Sequence, residues 1–287
     1  MKAPSVAATA RTRCMLCGST EFSDLVVPGQ CTMRCCQGCG FWVNSGYEPD
    51  EGWSAHYGTE YQDSLYGRAS RRKLRSARFA VRQIEGLRSP GRLLDIGSSL
   101  GYVVAAAQER GWDAYGVDIS EDAVVRCQAE GLNCAQGDMQ HLPYPDGFFD
   151  VVHARHVLEH DLEVYASLEE MRRVLAEDGL LVVEVPDAET RKVKRGGAGY
   201  AKFWWPEHHV CFTAKTLAEF MRRAGFTPVR WSAMAGLNRG GGGTPTFLVW
   251  KLAHLLKMRL GLATYTQGVW RKTGEANWTG EPNEATA

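Results

Sequence analysis

Residues 92–102 read Arg-Leu-Leu-Asp-Ile-Gly-Ser-Ser-Leu-Gly-Tyr: an apolar strand pattern meets an acid, then a glycine-bearing turn, then the helix-compatible run Val103-Val104-Ala105-Ala106-Ala107. Gly97 and Gly101 allow a tight turn and close approach of a ligand to the backbone, and the free N–H groups at the following helix start face that ligand. The unit reads as a nucleotide-cofactor site at the carboxyl end of a strand. Alone, it is equally a glycine turn closing any strand–helix unit.

The dinucleotide fingerprint needs G-x-G-x-x-G, whereas three residues separate Gly97 from Gly101 and Ser99 stands where a middle glycine falls, which weakens the case for NAD. The carboxylate of Asp95, just before the turn, meets a cationic group favourably and repels a pyrophosphate. S-adenosylmethionine, with ammonium and sulfonium charges, suits it better. The next strand candidate, Ala114-Tyr-Gly-Val-Asp118, ends in an acid about 20 residues past the turn, the spacing of a ribose-diol ligand. Gln136-Gly-Asp-Met139 places Asp138 after a third short segment, and Phe148-Phe-Asp-Val-Val-His153 makes a fourth strand. Strands alternating with helix patterns predict an α/β fold, a Rossmann-like, doubly wound, mostly parallel sheet.

Through LDIGSSLGY, GVDIS, QGDMQHLPYPDGFFDVVHARHVLEH and MRRVLAEDGLLVVEVP, in that order, the chain resembles class I S-adenosylmethionine-dependent methyltransferases. The resemblance implies that Asp95, Gly97, Ser99 and Gly101 shape the methionine end of the cofactor site. It also implies that Asp118 with Ile119 binds the ribose, and Asp138 with Met139 the adenine. Ser99 departs from the commonest pattern, which has glycine there.

Six of the nine cysteines lie before residue 40, in a chain whose first residues lack the apolar core of a signal peptide, so metal binding or reactivity is expected rather than disulfides. Cys14-x2-Cys17 and Cys36-x2-Cys39 match the four-cysteine zinc pattern, and Gly18 and Gly40 let the backbone curl after each pair. Four thiolates fill the zinc tetrahedron, so the expectation is a small structural zinc ribbon. Cys35 competes with Cys36 for one position. An iron–sulfur triplet C-x3-C-x2-C misses by one residue among Cys31, Cys35, Cys36 and Cys39. Cys127, Cys134 and Cys211 read as buried small hydrophobes. The expected organisation is a zinc-ribbon-like domain (1–47), an aromatic and basic helical connector (48–89), the catalytic core (90–240), and a C-terminal amphipathic segment with a flexible tail (241–287).

The basic run Arg68, Arg71, Arg72, Lys73, Arg75, Arg78 and Arg82 reads either as a solvated helix face or as guanidinium forks for a phosphate on the substrate. After the strand pattern Leu180–Pro186 comes Phe203-Trp-Trp-Pro-Glu-His-His-Val-Cys-Phe-Thr213, in the kind of loop that holds substrate. His208 is the first choice of general base and His160 the second, with Glu207 orienting an imidazole and His209 facing substrate. Alternatively, His208 and His209 cap or pack beneath the helix that Thr213 opens and Gly225 ends.

The four cysteines, the tyrosine-rich connector, Val157-Leu-Glu-His160 and Glu207-His208 ahead of an aromatic and a helix give a narrower resemblance, to bacterial methyltransferases with an N-terminal zinc-binding domain, including nucleotide-deoxysugar C-methyltransferases. It implies a sugar-type site lined by Glu207, His208 and His160, reached by Tyr61 or Tyr66. Those enzymes carry a further C-terminal domain, while beyond Arg239-Gly-Gly-Gly-Gly243 this chain has one amphipathic segment and a polar tail. The expected acceptor is therefore a small molecule or glycan, a nucleotide-linked sugar or natural-product intermediate among them, with a phosphate as one option.

With 33 basic and 33 acidic residues, bulk attraction to nucleic acid or an anionic membrane is not expected. Lys251, His254, Lys257 and Arg259 interrupt the longest apolar stretch, 246–260, which excludes it as a membrane span and favours a helix packed on the body or in a dimer contact. A cytoplasmic enzyme is expected. Two alternatives stand beside it: an rRNA or tRNA base methyltransferase whose basic run tracks phosphates, and a noncatalytic zinc-ribbon interaction protein with a retained cofactor fold.

Overall fold

The computed structural model of the protein describes residues 12–45, 70–200, 203–204, 207–234 and 264–273. A small antiparallel hairpin sheet comes first, from β1 (Phe22–Val27), β2 (Cys31–Cys36) and β3 (Trp42–Asn44). The helix α1 (Ser70–Glu85) leads into an alternating series: β4 (Arg92–Ile96), α2 (Tyr102–Gln108), β5 (Asp113–Asp118), α3 (Glu121–Ala129), β6 (Asn133–Gln136) and β7 (Phe149–Arg155). A 3-10 turn (Leu158–His160) and α4 (Val164–Val174) precede β8 (Leu175–Pro186) and α5 (Arg191–Gly196). The chain then forms β9 (Val210–Cys211), α6 (Ala214–Arg223), β10 (Phe226–Met234) and β11 (Tyr265–Lys272).

The large sheet has seven strands in the order β10-β11-β8-β7-β4-β5-β6. β8, β7, β4, β5 and β6 run parallel, and β11 and β10 pair antiparallel at one side. The expected α/β, Rossmann-like, mostly parallel sheet is what the chain forms. The order steps outward from β4 in both directions, and the crevice at that switch lies beyond the carboxyl ends of β4 and β7. Two apolar layers cover the sheet. In one, Ala77, Val81 and Ile84, at helical spacing on α1, pack with Leu93 and Ala107; in the other, Phe149, Leu168, Phe212 and Phe220 fill the opposite side.

The N-terminal hairpins are joined to this body. β9 adds a fourth strand beside β3, with Trp42 opposite Cys211 and Val43 opposite Val210. Cys14, Leu16, Cys36 and Phe41 share one buried cluster with Phe212 and Phe220, and the Phe41 ring lies 5.0 Å from that of Phe220. A second difference from expectation concerns residues 241–287: β11 is buried in the large sheet between β10 and β8 rather than in a tail. Its polar members Thr266, Gln267 and Lys272, all buried, hide the apolar run by which an interior strand is recognised. The stretch 246–260 lies outside the described residues. No helix among those described is long and apolar enough to cross a membrane.

The basic run divides by position. Arg78 forms a two-bonded ion pair with Glu109 at 2.7 Å, holding α1 to the end of α2. Arg71, Arg75 and Arg82 are exposed, while Arg72 and Lys73 face a cavity in the main sheet's crevice. Arg68 lies outside the described residues.

Candidate active site

β4 delivers Asp95 to the crevice with only 4% of its surface exposed. Gly97 and Gly101 both adopt left-handed backbone, each at φ 68, so a side chain at either would be strained. A Cβ on Gly97 would also meet the Val157 side chain at 2.2 Å. Ser99 takes φ 49, which explains why glycine suits the position; this backbone costs about 1–2 kcal/mol for an L-residue and must be held. Asp118 holds it: its carboxylate accepts the N–H of Ser99 at 2.7 Å and that of Ser120 at 2.9 Å, clasping the glycine turn to the start of α3. Burial raises the Asp118 pKa, with the Asp95 charge adding to it and the two backbone N–H groups opposing.

The partner of Asp95 is a residue that sequence reasoning missed. In the parallel pairing of β4 with β7, Asp95 stands opposite His153, and Nδ1 of that imidazole lies 2.6 Å from Oδ1 of Asp95. His153 is 1% exposed, and its Nε2 has no hydrogen-bond partner among the described residues. One register further, Arg155 donates to Glu184 of β8 at 2.8 Å and to the Ser76 hydroxyl at 3.0 Å. His156, at φ 56, sits between two buried carboxylates, 3.3 Å from Glu159 through Nδ1 and 3.3 Å from Glu184 through Nε2. Burial alone would lower the His156 pKa, but these two acids more than offset it and hold the ring protonated up to about 9. Burial likewise opposes the Glu184 charge, yet His156 and Arg155 draw its pKa down to about 2.

Asp95, Gly97, Ser99, His153, Arg155 and His156 line a cavity of about 460 Å³ with Arg72, Lys73, Tyr102 and Tyr265. Burial and the Arg155 charge bring the Lys73 amine down to about 8. Tyr265 comes from β11 and meets the His156 ring edge-on at 4.6 Å. Turn backbone and the Asp95 carboxylate at one wall, and cations at another, suit a zwitterionic ligand carrying further positive charge.

The expected adenine contacts sit differently from Asp95 and Asp118. Asp138 is exposed and closes its own turn, accepting the N–H groups of Gln140 and His141, while Met139 packs partly against the core. Ile119 is half-buried beside the Asp118 clasp. The acceptor candidates form a separate cluster that does not line this cavity and is joined to it through His156 and Glu159. His160 Nδ1 lies 2.8 Å from the Glu207 carbonyl, and His208 Nδ1 lies 2.9 Å from the Phe203 carbonyl, with the two rings 5.2 Å apart. Glu207 thus orients an imidazole through its main chain, and the carboxylate within reach of both rings is that of Glu159. Burial drives the His208 pKa down to about 4, with His160 adding and Glu159 opposing. His209 is buried, and its carbonyl accepts the Asn44 N–H at the seam with the small sheet, so it does not face the cavity as the sequence suggested. Tyr61 and Tyr66 lie outside the described residues.

Sequence reasoning did not find His153, Arg155, His156, Glu159 or Glu184. Asp95 and His153 are joined by strand register, as are Arg155 and Glu184, and register is set only once β4, β7 and β8 lie side by side. The Phe149-x-Val151 alternation toward His153 was a usable signal for an inward-facing histidine.

In the small sheet, Cys14 Sγ lies 3.5 Å from Cys39 Sγ and Cys17 Sγ lies 3.4 Å from Cys36 Sγ, and all four sulfurs fall within 4.8 Å of one another. Sulfurs at ~2.3 Å from a tetrahedral zinc lie about 3.8 Å apart, so the donor set fits that ion. Cys36 is the member of the cluster, and the Cys35 thiol contacts the Cys36 carbonyl instead.

A family model described as a methyltransferase domain matches residues 66–230. The chain is 30% identical over 99 residues to the uncharacterized methyltransferase YcgJ of Bacillus subtilis, a match covering 32% of this chain and 39% of that protein. It spans about two fifths of the length of the curated relatives it matches. Among solved structures, a SAM-dependent methyltransferase of Thermotoga maritima superposes with TM-score 0.55 at 18% identity, covering 75% of this chain and 98% of that one. The Burkholderia thailandensis 1,6-didemethyltoxoflavin-N1-methyltransferase, solved with bound 1,6-didemethyltoxoflavin and S-adenosylhomocysteine, superposes with TM-score 0.55 at 16% identity over 88% of this chain and 100% of that one. These superpositions establish the shared fold.

Proposed function

The chain belongs to the methyltransferase-domain family, and we propose that it moves the methyl group of S-adenosylmethionine onto a small-molecule or glycan acceptor held against His160 and His208. The observation that carries this reading is the pairing of two devices at one crevice, the Asp118 clasp that holds Ser99 of the glycine turn in the cavity wall and the buried Asp95–His153 pair. Asp95 and the turn backbone hold the methionine end, and Asp118 takes the ribose hydroxyls. When bound, the cofactor supplies an electrophilic methyl group. The protein's own work is alignment, exclusion of water and proton removal. The structural partner of this site is a zinc ion on Cys14, Cys17, Cys36 and Cys39, which fixes the small sheet against Phe212 and Phe220.

His208 is the base of this reading. Its Nδ1 donates to a carbonyl, so the neutral ring presents its lone pair at Nε2. A pKa near 4 makes it a weak base, matched to an acceptor whose own proton is acidic. Replacing His208 with Ala is expected to lower turnover by about 10²–10⁴-fold while leaving S-adenosylhomocysteine affinity within about threefold, read by single-turnover kinetics and calorimetry. Near-normal turnover removes His208 as base. The acceptor class is tested by labelled-methyl transfer to a metabolite extract and to bulk RNA in parallel. Label entering RNA alone would overturn the small-acceptor assignment.

A further inference from the structure

Glu159, His160 and His208 come together from two separate segments, the 3-10 turn after β7 and the loop before β9. One candidate ligand atom from each lies within 4.8 Å of the other two. We infer that these three residues form a second metal site, binding a divalent ion such as zinc with an open coordination position facing the acceptor.

The histidines are already set as such a site requires. A main-chain carbonyl can only accept, so the hydrogen bonds from His160 to the Glu207 carbonyl and from His208 to the Phe203 carbonyl place both ring protons on Nδ1. In the neutral rings the lone pairs are then on Nε2, and a carbonyl on the far nitrogen is the usual outer partner of a metal-bound histidine. Glu159 is oriented in the same way. Its Oε1 is engaged by His156, while Oε2 is buried with no hydrogen-bond partner among the described residues, in a side chain 1% exposed. An ionised oxygen without a partner is costly to bury, and a cation between it and the two Nε2 atoms removes that cost. Two imidazoles and one carboxylate form a borderline-hard donor set that suits zinc, iron(II) or manganese, and three protein ligands leave room for water or a substrate atom. The site is one side chain from the cofactor cavity, because His156 both lines that cavity and touches Glu159.

For its chemical consequence the inference rests on the acceptor reading above, and it changes how the histidines act. A heteroatom of the acceptor bound to the ion has its own pKa lowered, so the proton is lost to solvent or to a nearby base, and His208 serves as a ligand. The two sites have different donors, which makes them separable by spectroscopy.

The test is a cobalt(II) titration of the full chain whose four-cysteine site has first been filled with zinc. The expected result is one further cobalt per chain, with weak visible d–d bands and no thiolate-to-cobalt charge transfer. In separate Glu159→Gln and His208→Asn proteins, the cobalt dissociation constant should rise at least about 100-fold, with far-ultraviolet circular dichroism confirming that each is folded. Absence of the second equivalent in folded wild type overturns the inference, and so does uptake that neither substitution weakens. A labelled-methyl assay on the same samples keeps the two readings apart: cobalt uptake without methyl transfer to any small acceptor sinks the acceptor reading and leaves the metal site standing.

Discussion

Gly97→Ala is expected to abolish measurable binding of S-adenosylhomocysteine and to destabilise the folded chain by about 2–4 kcal/mol. Two costs add. The residue sits at φ 68, where a Cβ is penalised by about 1–2 kcal/mol, and that Cβ would lie 2.2 Å from Cγ1 of Val157. Valine is short and branched, so it cannot swing aside as the tip of a lysine would. The turn must move, and with it the Gly97 and Ser98 N–H groups that bond the Val117 carbonyl at 2.8 and 3.0 Å. A double-mutant cycle separates the costs: adding Val157→Ala should recover the part due to overlap and leave the backbone penalty, as read by urea unfolding and calorimetric titration. Additive effects of the two substitutions would show that the contact does not govern the turn.

On the proposed zinc assignment, Cys36→Ser is expected to remove the ion and to lower the thermal midpoint of the whole chain. In zinc-finger peptides structural zinc binds with an apparent free energy on the order of 10–16 kcal/mol, which is folding free energy, and loss of one thiolate forfeits part of it. The damage should spread beyond the hairpins, because Cys14, Cys36 and Phe41 share a buried cluster with Phe212 and Phe220, and β9 is a strand of the same small sheet. Hydrogen exchange should therefore quicken in β9 and α6 as well as in β1 to β3. Cys35→Ser is the control. Its thiol lies outside the cluster, so zinc content measured by elemental analysis should stay at the wild-type value. Equal zinc loss from both proteins would mean that the ligand set differs from Cys14, Cys17, Cys36 and Cys39.

The strand–turn–helix geometry at the end of β4 was legible in the chain because its determinants are local. Asp95, Gly97 and Gly101 fall within one strand–turn–helix unit, and Asp118 ends the adjacent strand at a spacing fixed by one intervening helix. The cysteine pairs were legible for the same reason. Residues coupled only through register were not: His153 meets Asp95, and Arg155 meets Glu184, because parallel strands distant in the chain align at those positions. Glu159 was passed over in favour of Glu207, since adjacency to His208 in sequence suggested a carboxylate–imidazole pair. Glu207 instead meets His160 through its carbonyl, and Glu159, next to His160 in the 3-10 turn, reaches His208 from the other segment. β11 was missed because burial on both faces removed the alternation that marks a strand, and its polar residues broke the apolar run.

The most direct test of the cavity's assignment is calorimetric titration of the purified chain with S-adenosylhomocysteine and, separately, with NAD. The glycine spacing, the carboxylate of Asp95 and the Asp118 clasp predict one equivalent of S-adenosylhomocysteine, weakened about 30-fold or more in Asp118→Ala by loss of charge-assisted bonds to the ribose, and no binding of NAD. Binding of NAD, or S-adenosylhomocysteine affinity indifferent to Asp118, would contradict it.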